Sequence, residues 1–183
     1  MSTLTVKELA APTGFDLKIA SGETLDLKSQ GTVTMPTGSV LQVVQGTSES
    51  GTTVTSSSFV SVSNLSKSIT TKALNSKVLI TMNCALQMSQ ASNNYGVIAI
   101  RSSLDSFGAS LFEQIIIGRS DWLQLGNVLQ FLHSPNQAAG TTITYTAYAK
   151  RTSGSQSFYI PDLWGQNTSG VPTSSTTLME VAG

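Results

Sequence analysis

The chain has 183 residues, 39% hydrophobic and only 11% charged, and its ten basic and ten acidic side chains balance to a formal charge of zero. No Lys/Arg cluster is long enough to neutralise a row of phosphates, and no run approaches the roughly 18 apolar residues of a membrane span, so composition argues against nucleic-acid and membrane partners. Ser, Thr, Asn, Gln and Gly must keep such a chain soluble, and these residues suit strands and turns better than helices, which makes all-β the expected class.

The length fits one domain with an extension. Cys84 is the single cysteine and sits in the apolar run Val78 to Leu86, so it reads as a small core residue and no intrachain disulfide can form. The amino terminus lacks a basic segment followed by a long apolar one. The expectation is a protein made in the cytosol that leaves it inside an assembled particle.

In chain order, Leu4 to Ala11 ends at the breaker Pro12-Thr13-Gly14, and residues 1–14 read as an attachment tip. Residues 15–45 read as a β-stem. Phe15, Leu17 and Ile19 alternate with Asp16 and Lys18, Leu25 and Leu27 flank Asp26, and Val33 and Met35 flank Thr34. A period of two is the signature of a half-buried strand. Ser21-Gly22-Glu23, Ser29-Gln30-Gly31 and Pro36-Thr37-Gly38 punctuate the runs with turn residues.

The energetics of this stretch decide what it needs. Burying its apolar side chains contributes about 1.5–3 kcal/mol each. Ordering some two dozen residues costs about 1–2 kcal/mol apiece. The stem therefore packs on the downstream domain, as an ordinary meander, or on copies of itself, as an intertwined shaft. The shaft is the favoured reading, with Phe15, Leu17, Ile19, Leu25, Leu27, Val33 and Met35 as interchain contacts.

Val40 to Gln45 is a β-branched strand closing the stem, and the polar loop Gly46 to Gly51 marks the start of a head, residues 46–183. From there, strand candidates arrive at short intervals: 53–62, 68–72, 78–86, 96–103, 112–117, 128–133, 141–149, 157–160 and 176–181. This spacing fits an antiparallel sandwich or barrel. Val78-Leu79-Ile80 and Ile115-Ile116-Ile117 are apolar at both parities, as expected of strands covered on both faces by a second sheet or a neighbouring subunit. Thr141 to Ala149 alternates instead, with Ile143, Tyr145, Ala147 and Ala149 on one face and Thr142, Thr144, Thr146 and Tyr148 on the other.

Catalytic chemistry has little to work with. His133 is the only histidine, it ends a strand, and no nucleophile elbow accompanies it. One His and one Cys far apart cannot furnish a zinc tetrad. Asp105, Glu113, Asp121 and Asp162 are isolated acids of the kind that cap turns, though glycan cleavage requires a pair of them. No catalytic, cofactor or metal residue is therefore assigned. Trp122 beside Asp121 and Trp164 beside Asp162 are candidate glycan contacts, against the alternative that each Trp fills a core or a subunit interface. The triplets Asn64-Leu65-Ser66 and Asn167-Thr168-Ser169 match a glycosylation pattern only by coincidence.

Ser2 to Leu9, Gly14, Ser21 to Leu25 and Pro36 to Gln45 resemble the start of small virion structural and fibre proteins of tailed bacteriophages, especially those of marine cyanobacteria. The ending, Thr176 to Gly183, resembles their carboxyl ends. The resemblance implies a homotrimeric fibre or appendage of the virion. Its N-terminus would dock on other virion proteins, a short β-shaft would follow, and a jelly-roll-like β-sandwich head would pack about a threefold axis and contact a host-surface glycan. A capsid decoration or knob protein is the alternative of the same kind, and a glycan-cleaving tail spike the alternative of a different kind.

Overall fold

A computed structural model describes residue 21 and residues 35–88, 95–117, 123–153, 157–160 and 174–183. The chain divides into two compact units, Met1–Thr34 and Met35–Gly183. The attachment tip and the stem contacts Phe15, Leu17, Ile19, Leu25, Leu27 and Val33 lie outside the described residues. Met35 is described, as an irregular residue 44% exposed ahead of a turn.

Among its described residues the second unit has ten strands: β1 (Val40–Ser48), β2 (Thr52–Val54), β3 (Val60–Thr70), β4 (Lys77–Met88), β5 (Tyr95–Ser102), β6 (Ser110–Ile117), β7 (Leu123–His133), β8 (Thr142–Ser153), β9 (Phe158–Ile160) and β10 (Ser174–Val181). A single 3-10 turn, Ser103–Asp105, interrupts them among the described residues. Every pairing is antiparallel.

One sheet has the order β3-β8-β5-β6. The other is built on β4. Its whole length from Val78 to Met88 pairs with β7, so β10, which pairs Lys77 to Asn83, and β9, which pairs Gln87 and Met88, share the opposite edge. β1 pairs β10 and β2 pairs β9, so β1 with β2, and β9 with β10, each form one interrupted column. Numbered in chain order, the eight columns fall into sheets 1-8-3-6 and 2-7-4-5. This is the strand order of a jelly roll.

The sheets face each other across one apolar layer. β8 contributes Ile143, Tyr145, Ala147 and Ala149, all fully buried, as its alternation predicts. β4 contributes Val78, Ile80, Met82, Cys84 and Leu86, and β3 contributes Val62, Leu65 and Ile69. Each large side chain of this layer contributes about 1.5–3 kcal/mol by leaving water.

Two sequence expectations need correction. Val40–Ser48 does not end a stem: it is the first strand of the sandwich, paired to the last, and the compact unit begins at Met35. The candidates 53–62 and 68–72 are divided differently, as short β2 and one long β3 that runs through Asn64-Leu65-Ser66. The register slips between Val62 and Ser66, a bulge that sets Leu65 fully in the core. Asn64 holds it there, accepting from Thr52 Oγ1 at 3.1 Å and donating to Ser50 O. Of the two continuous apolar runs, the opposing sheet covers one parity; the other leaves Ile115 and Ile117 67% and 58% exposed in the single chain.

The chain end is tied into the sandwich. Pro36-Thr37-Gly38-Ser39 forms a turn in which Ser39 N donates to Pro36 O at 3.0 Å and Gly38 takes φ +87°, a conformation glycine adopts without a Cβ penalty. Gly38 N donates to Ala182 O at 2.9 Å, and Ala182 N to Ser39 O at 2.9 Å. One turn further in, the carboxylate of Glu180 is fully buried. It accepts from Lys72 N at 2.7 Å, Ala73 N at 3.3 Å, Ser76 Oγ at 2.6 Å and Gln42 Nε2 at 2.5 Å. The last strand thereby grips both the β3–β4 turn and β1.

Candidate functional site

The two outward faces of the sandwich differ in chemistry. On the β4 sheet, register places Val43 opposite Met179, Met179 opposite Leu79, and Leu79 opposite Leu132. Four apolar side chains thus form one row across four strands. Val43 is 54% and Leu132 50% exposed, and Val40, in the next row beside Val181, is 50% exposed. The following row is polar: Gln45 donates to Thr177 Oγ1 at 3.2 Å, and Gln130 to Thr81 Oγ1 at 3.3 Å. The apolar strip is therefore bounded on this side by polar side chains.

On the β3-β8-β5-β6 sheet the outward side carries a second apolar patch at its β6 edge, where Ile115 and Ile117 stand opposite Val97 and Tyr95. Toward the sheet centre it turns cationic and aromatic. The Arg101 guanidinium lies 4.2 Å from the Phe59 ring centroid and 5.1 Å from that of Tyr148, and Lys150 Nζ lies 4.4 Å from Phe59. Arg101 is held by donating Nη1 to Phe107 O at 2.8 Å and Nε to Ser110 Oγ at 3.3 Å. Phe107, whose ring centroid is 5.8 Å from that of Tyr148, has φ +60°, and Ser106 before it φ +56°. Two successive non-glycine residues in the left-handed region are uncommon and persist only where their surroundings fix them. Here the fixing groups are the Arg101 donor and the bonds Phe107 N to Ser102 O, 2.9 Å, and Ser106 N to Ser103 O, 3.3 Å.

Beside this cluster the face is a ladder of hydroxyls. Ser66 pairs with Thr146 at 2.8 Å, Ser68 with Thr144 at 2.8 Å and Thr70 with Thr142 at 2.9 Å. The Thr142/Thr144/Thr146/Tyr148 face of the sequence is this surface.

The residues that sequence singled out for chemistry are otherwise engaged. His133 Nδ1 meets Tyr145 Oη at 2.9 Å with the rings edge to face. Burial lowers the His133 pKa against the opposing charge of Asp105, and burial pushes the Tyr145 hydroxyl up. Asp105 caps its own turn by accepting from Ala109 N at 2.7 Å. Glu113 is exposed on β6, opposite Ala99. A shallow hollow of about 260 Å³ opens beside Gly126, between Asn83–Ala85 and Gly126–Val128. Its one ionisable group is Cys84, whose thiol burial pushes up to about 12. A thiolate reagent at pH 8 is expected to leave Cys84 unmodified in the folded protein and to label it after denaturation; rapid labelling of the native chain would contradict its core placement.

The candidate glycan contacts Trp122, Trp164, Asp121 and Asp162 lie outside the described residues, as do all the stem contacts but Met35. Among the described residues, no group of three or more His, Cys, Asp or Glu is placed to hold a metal ion, and no helix is long and apolar enough to cross a membrane. Sequence reasoning missed Phe59, Arg101, Tyr148 and Lys150. Their signal was faint: Arg101 is the only charge in strand 95–102, and Tyr148 and Lys150 continue the outward parity of the threonines.

No family model and no curated protein matches the chain. Among solved structures, a chain from the structure of infectious bursal disease virus, Gx strain, is similar at a TM-score of 0.33 and 12% identity, the match covering 87% of this chain and 42% of that one. The chain thus spans less than half the length of that neighbour, and a likeness this loose has no bearing on function.

Proposed function

We propose that the chain is a non-enzymatic virion structural protein, a homotrimeric fibre or appendage that displays its sandwich for host-surface attachment. The observation that carries this reading is the apolar row Val43, Met179, Leu79 and Leu132 on an outward sheet face. A second copy of the chain is the occupant that fits. A cyclic trimer is built from head-to-tail contacts, which need two different surfaces on each subunit, whereas a dimer needs one self-complementary surface. The sandwich offers two apolar patches on different sheets, the row on β1-β10-β4-β7 and the β6 edge at Ile115 and Ile117.

The resemblance of both chain ends to virion fibre proteins, and the alternating apolar residues of segment 15–35, support the same reading. Three weak sites on one stem, repeated over a particle, give an avidity that no single site has. A stem buried between chains also makes unfolding contingent on dissociation, which suits a protein that persists outside a cell. No cofactor enters this mechanism, and its partners are the other copies, a docking protein of the particle and a host-surface glycan.

Deleting residues 1–11 is expected to leave the sandwich folded and to abolish incorporation into particles. The measurement is the quantity of the chain that sediments with gradient-purified particles, with immunogold labelling to place it on the tail, neck or capsid. Normal incorporation of the truncated chain would refute the attachment-tip assignment, and absence of the full chain from particles would refute the virion role.

A further inference from the structure

We propose that the outward face of the β3-β8-β5-β6 sheet is a binding site for an acidic polysaccharide, with Arg101 and Lys150 taking its carboxylate or sulfate groups and the adjoining hydroxyl ladder taking its hydroxyls. The cations are the first reason. Neither Arg101 nor Lys150 has a carboxylate partner among the described residues, and both sit against Phe59, whose ring face is 4.2 Å from one and 4.4 Å from the other. Two like charges sharing one ring repel each other, and an anion seated between them relieves that repulsion. Glu113, the acidic residue nearest in register, is one row away opposite Ala99.

Preorganisation is the second reason. Arg101 is fixed by Phe107 O and Ser110 Oγ, and it in turn helps hold the left-handed pair Ser106-Phe107. With Nη1 and Nε committed, Nη2 has no hydrogen-bond partner among the described residues and can donate to an oxyanion. Such strain and rigidity accompany binding sites more often than plain surface.

The ladder is what points to a saccharide in place of a simple anion. The rungs Ser68 with Thr144 and Thr70 with Thr142 are exposed, and each joins two hydroxyls through one hydrogen bond. One proton and several lone pairs per exposed rung therefore remain for a ligand, while Thr146 of the first rung is buried. Thr146 lies opposite Arg101 across the β5–β8 pairing, and the rungs at Thr144 and Thr142 continue from it along β8. At about 3.4 Å per residue this adds a strip some 14 Å long, which suits several sugars of an extended polymer. The site is a property of one chain. It rests on the host-surface glycan reading but not on the trimer. Its residues lie on the opposite sheet from the row Val43, Met179, Leu79 and Leu132, although Lys150 shares a row with Val97 and Ile115 and so borders the second apolar patch.

The test is titration of the full chain with alginate (carboxylates), heparin (mostly sulfates), neutral dextran and a single-stranded oligonucleotide, read by calorimetry at low and at physiological salt. Binding to alginate or heparin, weakened by salt, with none to dextran, is expected. Alginate alone would assign carboxylate and heparin alone sulfate. Lys150→Gln and Arg101→Gln are each expected to weaken it about tenfold, as loss of one charge-assisted contact does. Thr70→Val combined with Thr142→Val should weaken polymer binding and leave binding of inorganic sulfate unchanged. Circular dichroism melts confirm that each variant is folded, and Lys150→Gln, whose side chain makes no hydrogen bond among the described residues, keeps the test decisive if Arg101→Gln is not. Absence of binding to both acidic polymers, or unchanged affinity in Lys150→Gln, would overturn the proposal. Oligonucleotide binding as tight as that of the polysaccharides would overturn the ligand class.

Discussion

Glu180→Ala is expected to lower the melting temperature of the sandwich by about 10 °C. The substitution strips acceptors from Lys72 N, Ala73 N and Ser76 Oγ at once, in a site closed to solvent. Each buried donor left unpaired costs about 1–3 kcal/mol. Three donors would sum to about 3–9 kcal/mol. With Ala73 N already at 3.3 Å and Lys72 at the surface the low end applies, on the order of 3–5 kcal/mol. A domain of this size loses about 2–4 °C per kcal/mol. Gln42 retains Thr70 O, at 2.6 Å, and adds little to the loss.

The same carboxylate gives the sandwich an acid limit. Burial alone would raise the Glu180 pKa, but the hydrogen bonds from Ser76, Gln42, Lys72 N and Ala73 N outweigh it and hold the value below 4.5. A depressed folded pKa means that the unfolded chain takes up the proton first as pH falls. The stabilisation is therefore complete above the ordinary carboxylate range and is lost as pH drops through the folded value. Glu180→Gln should be less stable at neutral pH and should lack this acid leg; an acid slope identical to that of the parent, measured by thermal melts at stepped pH, would remove Glu180 as its source.

The second large effect is on assembly. Val43→Glu combined with Leu132→Glu is expected to convert trimers to monomers while the sandwich melts within a few degrees of the parent. Both side chains are half exposed in the single chain, 54% and 50%, so the substitution costs the isolated fold little. In a packed interface the same carboxylates lose water without gaining partners, at several kcal/mol each. Ile115→Glu with Ile117→Glu should act alike, since a ring contact joins two different patches. Trimers that survive both pairs of changes would leave the apolar faces without a role in assembly.

How far the sequence carried these conclusions varied with how local each signal was. The alternation of residues 141–149 encodes its own two faces, and the buried and hydroxyl-bearing sides of β8 follow from it directly. The Pro36-Thr37-Gly38 turn was equally plain, because the glycine conformation it needs is a local demand. The division of β3 was not, since a bulge at Val62–Ser66 reverses the parity of the strand midway and mimics a break. Val78 to Ile80 and Ile115 to Ile117 announced two apolar faces, but not that the sandwich covers only one. Glu180 and the Phe59, Arg101, Tyr148, Lys150 cluster stayed silent for a different reason. Their partners are contributed by strands far apart in sequence, and only the order β3-β8-β5 brings residues 59, 101 and 148 side by side.

The decisive measurement is the solution mass of the full chain by light scattering coupled to size exclusion, at several concentrations. A constant mass of three chains is expected if neighbouring copies cover the two apolar patches and the alternating segment 15–35, as proposed. A constant mass of one chain would mean that the stem and the row from Val43 to Leu132 are satisfied within a single molecule, and the trimeric fibre would be ruled out.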